Sequence, residues 1–216
     1  MFAPDFIPSL QTIALFAVAS FLLSITPGPD MALFLARTVT GGRSMGFAAM
    51  FGASAGLIVH ATLAGLGLSA LLAASPTAFF ILKIIGGLYL GWLAYGAIRH
   101  GSGFSVDNTS APKQSLRATF LTGLGINLTN PKVIVFFVTF LPQFVDASDP
   151  AAAGKMLFLG LFFLVIGIPT NGLIILVAER FTRFMQSSPR AMRIFDYGFA
   201  GIVSAFAVKL FLTQGR

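Results

Sequence analysis

The pentapeptide Thr26-Pro27-Gly28-Pro29-Asp30 interrupts the first long apolar stretch of the chain. Its two prolines lack backbone N–H groups and clash with the preceding helical turn, so a helix through this stretch has to break here. Inside a membrane, such a break leaves backbone polar groups unpaired, and it is tolerated only against other protein or a water-filled cavity. The pentapeptide therefore predicts an interrupted transmembrane helix whose break faces the interior of the protein.

Six apolar stretches run through the 216 residues, and each is long enough to cross a bilayer, which takes about 20 apolar residues per helix. Charged residues make up only 10% of the chain, whereas a typical soluble domain has about 25%. The stretches show no period-two alternation and exceed the length of a barrel strand. The predicted fold is an all-α integral membrane protein with six transmembrane helices, at about 9–38, 45–74, 77–98, 116–145, 154–178 and 193–213.

The two halves of the chain correspond, because Pro131 interrupts the fourth stretch 104 residues after Pro27 interrupts the first. Any six-span chain divides into two halves, but the matched prolines argue against coincidence. Each half holds three spans, so the second half enters the membrane from the opposite face, as in the inverted repeats of many transporters. We predict one transmembrane domain over 1–216, with repeats at about 1–98 and 116–213 joined by a cytoplasmic loop at about 99–115.

Basic residues predict the orientation, since nine of the 14 lie in or beside the first, third and fifth loops. The positive-inside rule then places these loops in the cytoplasm and both termini outside. The net charge of +7 is therefore expected to contact the lipid bilayer, and it does not indicate a nucleic-acid partner. No Lys or Arg precedes the first apolar stretch, so we interpret that stretch as a retained helix and not a signal peptide.

A second break is predicted at Asn127-Leu128-Thr129-Asn130-Pro131-Lys132, where polar side chains can cap the freed backbone groups. Each break carries a charged residue, Asp30 at the first and Lys132 at the second. An ionisable group within a span costs roughly 3 kcal/mol on insertion scales and usually serves function. Each break also exposes a half-helix N-terminus, which favours anionic groups such as a carboxylate.

Asp30 and Lys132 are predicted to form an ion pair with which the ammonium and carboxylate of an amino acid compete. The alternative for Asp30 is a helix cap on the N–H groups after Pro29. The alternatives for Lys132 are a purely structural pair with Asp30 and a side chain that extends to the membrane surface.

Other polar residues in the spans are weaker candidates. His60 shares one helix face with Gly52 and Gly56, at intervals of four residues, so this face packs closely against another helix or lines a cavity. His60 is a candidate proton relay, or else a buried histidine bonded to a neighbour. Lys83 needs a partner or a water path, and Asn171 is a candidate polar ligand from the second half.

These residues resemble the LysE/RhtB family of bacterial amino-acid exporters over nearly the whole chain. The family's Thr-Pro-Gly-Pro-Asn or -Asp element matches residues 26–30, and its Asn-Leu-x-Asn-Pro-Lys element matches residues 127–132. Residues 140–144, Phe-Leu-Pro-Gln-Phe, and residues 83–90, Lys-Ile-Ile-Gly-Gly-Leu-Tyr-Leu, are also similar to the family. The resemblance implies six helices in the bacterial inner membrane and efflux of amino acids driven by the proton motive force. Many members have Asn where this chain has Asp30, so coupling uses either this carboxylate or another residue.

The leading functional hypothesis is a secondary transporter that exports small amino acids, such as homoserine, threonine or other neutral ones, in exchange for protons. The nearest alternative is an exporter of another small solute or of a metal ion, and the metal ion is disfavoured because the chain has no Cys and only two His. An intramembrane enzyme would need paired catalytic groups near one membrane surface, and no such pair is evident. A passive channel stays open as an alternative. No cofactor or metal is expected, and the candidate binding and coupling residues are Thr26, Pro27, Gly28, Pro29, Asp30, His60, Lys83, Asn127, Asn130, Pro131, Lys132 and Asn171.

Oligomeric state is not fixed by the sequence. The small residues Gly52 and Gly56, or Gly86 and Gly87, allow close helix packing. Such packing is possible within one chain or between two chains, and a homodimer is therefore one expectation.

Overall fold

The computed structural model describes residues 6–68, 114–146 and 149–178 continuously, together with single positions between 71 and 95 and between 180 and 201. These described residues are helical, with turns between the helices and no strand. The helices are α1 (Leu10–Ile25), α2 (Pro29–Gly41), α3 (Arg43–Leu63), α4 (Leu116–Thr129), α5 (Pro131–Val135) and α6 (Ala152–Leu176). A π-helical turn at Ala64–Leu68 extends α3, and a π-helical turn at Phe136–Phe140 followed by a 3₁₀ turn at Leu141–Phe144 extends α5.

Membrane-spanning length is reached in the described residues by α3 with its π-helical turn and by α6. Two further spans are bent, because α1 and α2 meet at 52° while α4 and the helix that begins with α5 meet at 51°. The chain is thus a multi-pass membrane protein with two to four spans among these residues. The predicted third and sixth spans fall largely outside the described residues, so the six-helix inverted repeat stays a prediction.

Both predicted breaks are present. At the first, Gly28 is extended and Pro29 is the first residue of α2, where its missing N–H costs no helical hydrogen bond. At the second, Asn130 ends α4 and Pro131 begins α5 in the same way. The two breaks therefore share one construction, an extended residue followed by a proline that starts the next helix.

The first loop is shorter than predicted. The predicted spans at about 9–38 and 45–74 leave a loop of some six residues between them, but α2 continues to Gly41 and α3 begins at Arg43. Gly42 alone makes the turn, with a φ of 85° that side chains disfavour. One glycine in the left-handed region is enough to reverse the chain direction, which is why the polar stretch around it remains helical.

Helix α3 packs against α4 through backbone contacts on the face that the glycine spacing indicated. A Cβ on Gly52 would collide with the carbonyl oxygen of Phe120, and one on Gly123 would collide with the carbonyl oxygen of Ala49. Gly56 is similarly close to the side chain of Asn127. Gly52 and Gly56 therefore serve packing within the chain, whereas Gly86 and Gly87 lie outside the described residues.

This packing yields a stability prediction with an internal control. Gly123→Ala is expected to destabilise the protein by about 1–3 kcal/mol, because the new methyl group forces two helix backbones apart. Gly125→Ala, on the same helix, adds a methyl group that meets no atom within 4 Å, and it is expected to be neutral or slightly stabilising through helix propensity. Thermal unfolding of the two variants in detergent checks this, and equal melting temperatures would contradict the packing.

An ion pair marks the start of α6, outside the membrane-spanning residues. The Asp149 carboxylate accepts hydrogen bonds from the Lys155 ammonium and the Ala151 backbone N–H. These two hydrogen bonds lower the pKa of the Asp149 carboxyl, with the Lys155 bond as the larger cause. The first turn of α6 is fixed by these contacts rather than by an N-cap side chain.

Candidate functional site

A small cavity lies between the two breaks. Its volume is about 50 Å³, room for a few water molecules, since one water needs roughly 10–15 Å³ measured in this way. Residues from both halves of the chain line it. The polar residues among them are Ser24, Thr26, Asp30, Ser54, Asn127, Lys132 and Asn171. Five predicted site residues, Thr26, Asp30, Asn127, Lys132 and Asn171, are thus brought together around one space.

The Lys132 ammonium reaches across to the first break. Its Nζ atom donates hydrogen bonds to the carbonyl oxygens of Leu23 at 3.1 Å and Thr26 at 2.8 Å. These carbonyls belong to the C-terminal end of α1, where the helix dipole favours a positive charge. Lys132 therefore caps the first interrupted helix from the second one.

Gly28 makes room for this lysine. A Cβ at position 28 would lie 3.2 Å from Lys132 Nζ and 3.5 Å from its Cε atom. Because the φ of Gly28 is −177°, ordinary extended backbone, the glycine is favoured here by the close approach of the lysine and not by its conformation.

Asp30 does not form the predicted ion pair with Lys132. Its Oδ2 atom instead accepts a hydrogen bond of 2.7 Å from Asn127 Nδ2, and the ammonium is held by the α1 carbonyls. The two charges are close enough to interact electrostatically but make no direct contact. The prediction of a direct pair was wrong because unpaired carbonyls at a broken helix compete for the lysine.

Asn127 connects the two breaks to α3. Its side chain is 1% exposed, its amide donates to Asp30, and its backbone carbonyl oxygen lies 3.3 Å from His60 Nε2. Its own Oδ1 atom and the Oδ1 atom of Asp30 are buried and accept no hydrogen bond within the described part of the chain. Two acceptor atoms thus remain without a donor beside the same cavity.

Asn130 and the prolines shape the breaks. Asn130 is 2% exposed, and its Oδ1 atom caps α5 by accepting from the Lys132 backbone N–H at 3.0 Å. Its Nδ2 atom has no hydrogen-bond partner among the described residues. Pro27, Pro29 and Pro131 do not line the cavity and act through the backbone path they impose.

The remaining predicted site residues contribute less to the small cavity or lie outside the described residues. His60 lies behind Asn127, with its ring 5.7 Å from that of Phe137 between centroids, and does not line the cavity. Asn171 lines it, while its amide also donates to the Gly167 carbonyl of its own helix at 2.9 Å. Lys83 lies outside the described residues.

Two serines that the sequence did not single out also line the cavity. The hydroxyl groups of Ser24 and Ser54 donate to the carbonyls of Ser20 and Met50, one turn earlier in their own helices. Their positions in the sequence could have indicated this. Ser24 lies four residues before Gly28, near the end of α1, and Ser54 lies between Gly52 and Gly56 on α3.

The cavity offers both polarities to a ligand. An ammonium carries three N–H donors, and Lys132 uses two of them on carbonyls, which leaves one. Asp30 and Asn127 offer acceptor oxygens. A molecule with one anionic and one cationic group matches this arrangement, although small-molecule sites measure about 300 Å³ or more. The cavity must therefore widen before such a molecule enters.

Comparisons with known proteins extend this description. The chain is 30% identical over 187 residues to the homoserine/homoserine lactone efflux protein of Salmonella typhimurium, covering 87% of this chain and 89% of that protein. It is 26% identical over 203 residues to the leucine efflux protein of Klebsiella pneumoniae, covering 92% and 94%. An uncharacterised membrane protein of Vibrio cholerae is 31% identical over 178 residues, which is 82% of each chain. No solved structure matches the chain.

The family described as LysE type translocator matches residues 21–214, which include both breaks and every residue of the cavity. Members of this family are translocators and not enzymes. The long match and the relatives named as efflux proteins agree with the apolar, multi-pass helices. The chain is accordingly a transporter that belongs to the LysE-type translocator family.

Proposed function

We propose that this protein exports small amino acids or their close derivatives from the cytoplasm in exchange for protons. The substrate binds between the two helix breaks, where Lys132 receives its carboxylate and Asp30 with Asn127 receives its ammonium. Homoserine and leucine are the first candidates, because the similar protein of Salmonella typhimurium is named for efflux of homoserine and homoserine lactone, and that of Klebsiella pneumoniae for efflux of leucine.

One observation carries this proposal. The free acceptor atoms of Asp30 and Asn127 and the buried ammonium of Lys132 line the same cavity, and they come from the two interrupted helices. Discontinuous helices commonly form the substrate site of secondary transporters. A zwitterion satisfies the unpaired acceptors and the remaining lysine donor at once, whereas a purely apolar or purely cationic solute leaves part of the site unpaired.

Proton coupling is assigned to Asp30. Its carboxylate lies at the N-terminal turn of α2, inside the membrane-spanning region, where a change of protonation changes the site's net charge by one. A protonated Asp30 attracts the substrate ammonium less strongly than the carboxylate does. Proton uptake from outside therefore favours substrate release there, and proton loss to the cytoplasm restores the substrate-binding form.

The architecture proposed for this cycle is six transmembrane helices in two inverted repeats, 1–98 and 116–213, in a bacterial inner membrane. Both termini lie outside, as the basic loops predict. The two bends of nearly equal angle support the repeat, because each half contributes one interrupted helix to the same cavity.

Counterflow in proteoliposomes tests the function with matched solutes. Homoserine and leucine are expected to exchange, and their accumulation is expected to respond to an imposed pH gradient. Leucinamide lacks the free carboxylate, and N-acetylleucine lacks the ammonium. Each of these is expected to exchange about 10-fold or more slowly than leucine, because a buried polar partner is left unpaired.

The panel separates three outcomes. Exchange of homoserine or leucine with poor exchange of both modified compounds supports the zwitterion site. Equal exchange of leucine and leucinamide would contradict carboxylate recognition by Lys132. No exchange of any amino acid by correctly folded protein would sink the substrate assignment.

A further inference from the structure

A second and larger cavity lies beyond the first along α2 and α6. It measures about 510 Å³, within the range of small-molecule sites. Arg43 and Arg180 line it, while Glu179, between the lining residues Ala178 and Arg180, lies outside the described residues. The two guanidinium groups attract anionic groups such as carboxylates.

The two cavities are offset by one helical turn on each of two helices. On α2, Phe34 lines the small cavity and Thr38 lines the large one. On α6, Asn171 lines the small cavity and Ile175 the large one. Four residues of α-helix rise about 6 Å, so a single layer of side chains stands between the two spaces.

That layer is apolar and tightly packed. Phe34, Met50 and Ile175 belong to one buried cluster, with exposures of 4%, 2% and 0%. Gly46 lets α3 approach at this point, because a Cβ there would collide with Thr38 Oγ1 and lie 3.2 Å from both Ile175 Cγ2 and the Phe34 carbonyl oxygen. We call these three residues, Phe34 of α2, Ile175 of α6 and Met50 of the adjoining α3, the α2/α6 layer.

A much larger cluster of buried side chains closes the opposite side of the small cavity. Phe163 lines the cavity there and belongs to a cluster of 14 buried residues. Four of its phenylalanines, Phe16, Phe136, Phe137 and Phe140, are packed with ring centroids 5.0–5.8 Å apart. The α2/α6 layer is therefore the thinner of the two barriers.

We propose that the large cavity is the entrance compartment for the carboxylate-bearing substrate, and that the α2/α6 layer is the gate between it and the binding cavity. The inference rests on the proposed function for the identity of the substrate. Arg43 and Arg180 lie in predicted cytoplasmic loops, so the compartment opens to the side from which an exporter loads. The arginines gather the substrate through its carboxylate, and movement of Phe34, Met50 and Ile175 admits it to Asp30 and Lys132.

Cysteine accessibility tests the route directly, since the chain contains no cysteine of its own. Val177→Cys places a thiol in the entrance compartment, and Ser54→Cys places one in the binding cavity with little change in size. Leu173→Cys, at a side chain that is 64% exposed on α6 outside both cavities, is the lipid-facing control. The reagent is a membrane-impermeant anionic methanethiosulfonate, which the two arginines attract as they would a carboxylate, and it is applied to inside-out vesicles or to spheroplasts.

The thiol at position 177 is expected to react quickly from the cytoplasmic side only, and the control thiol slowly from both sides. The thiol at position 54 is expected to react slowly and from the cytoplasmic side. Adding Ile175→Ala is expected to raise the rate at position 54 on the order of tenfold, as when an open state rises from about 1% to about 10% of molecules. The rate at position 177 is expected to stay unchanged.

Ile175→Val removes a single methyl group and gives a milder second variant, with an intermediate rate expected at position 54. Labelling of position 54 from the outside, or an unchanged rate in both Ile175 variants when they are folded, would overturn the gate. These readouts do not require transport. If the wild-type protein exchanges no amino acid while position 54 still responds to Ile175→Ala, the route stands and the proposed substrate fails.

Discussion

Asp30→Asn is expected to retain amino-acid exchange, with weaker substrate binding because the side chain is uncharged, while losing the response to a pH gradient. Asparagine keeps the size of the side chain and an oxygen acceptor for Asn127 Nδ2, which Asp30 now holds at 2.7 Å, but it does not titrate. For a one-to-one exchange, the wild-type protein should build a concentration ratio of about tenfold per pH unit, and the variant a ratio near one. Counterflow and gradient-driven transport in the same proteoliposomes measure both quantities.

Two comparison variants sharpen this result. Asp149→Asn also removes one carboxylate, but at the start of α6 outside the spans, and gradient-driven transport should match the wild type. Asp30→Ala loses the acceptor as well as the proton site, so exchange itself should fall on the order of 100-fold, the usual cost of about 3 kcal/mol for an unpaired buried group. A normal pH response in Asp30→Asn would show that another group carries the coupling proton. His60 would then be the next residue to replace.

Lys132→Met is expected to abolish transport and to destabilise the protein. Methionine fills much of the same space but leaves the carbonyl oxygens of Leu23 and Thr26 without the donor they have at 3.1 and 2.8 Å. Leaving buried acceptors unsatisfied costs about 1–3 kcal/mol each, and the substrate carboxylate also loses its positive partner. Thermal unfolding in detergent and homoserine or leucine counterflow measure the two effects separately.

Lys155→Met serves as the matched control, because this lysine pairs with Asp149 at the start of α6, where the two side chains are 22% and 20% exposed. Surface ion pairs contribute about 0–1 kcal/mol, so its stability and transport should stay close to the wild type. If Lys132→Met and Lys155→Met had equal melting temperatures, the lysine would not cap α1. If Lys132→Met kept full exchange, carboxylate recognition would lie elsewhere.

The breaks and their neighbours were predictable because local chemistry determines them. Two prolines around a glycine, or a proline after capping asparagines, favour a helix start, and Pro29 and Pro131 each begin a new helix, whereas the isolated Pro169 lies inside α6. Asn130 was expected to cap freed backbone groups, and it does so at the Lys132 N–H. The close packing of α3 was also indicated, since glycines at intervals of four leave a groove on one helix face.

The partners of the charged groups were less predictable. Sequence places Asp30 and Lys132 near the two breaks but does not rank the carbonyls of α1 against the carboxylate as partners for an ammonium. Three-dimensional positions decide that competition. The α2/α6 layer could not be predicted from the sequence either, because Phe34 and Ile175 do not differ from the other apolar residues of a membrane span.

The contact between Gly28 and Lys132 also bears on how such chains diverge. A Cβ at position 28 would lie against the lysine stem, 3.2 Å from Nζ and 3.5 Å from Cε, so a larger side chain there displaces the lysine, and the two positions lie at different helix breaks. The residues at these two positions are consequently expected to covary. Among distant relatives, a larger residue at the position of Gly28 should appear together with a shorter or neutral residue at the position of Lys132, and a library that varies both positions at once should reach substrates that single changes do not.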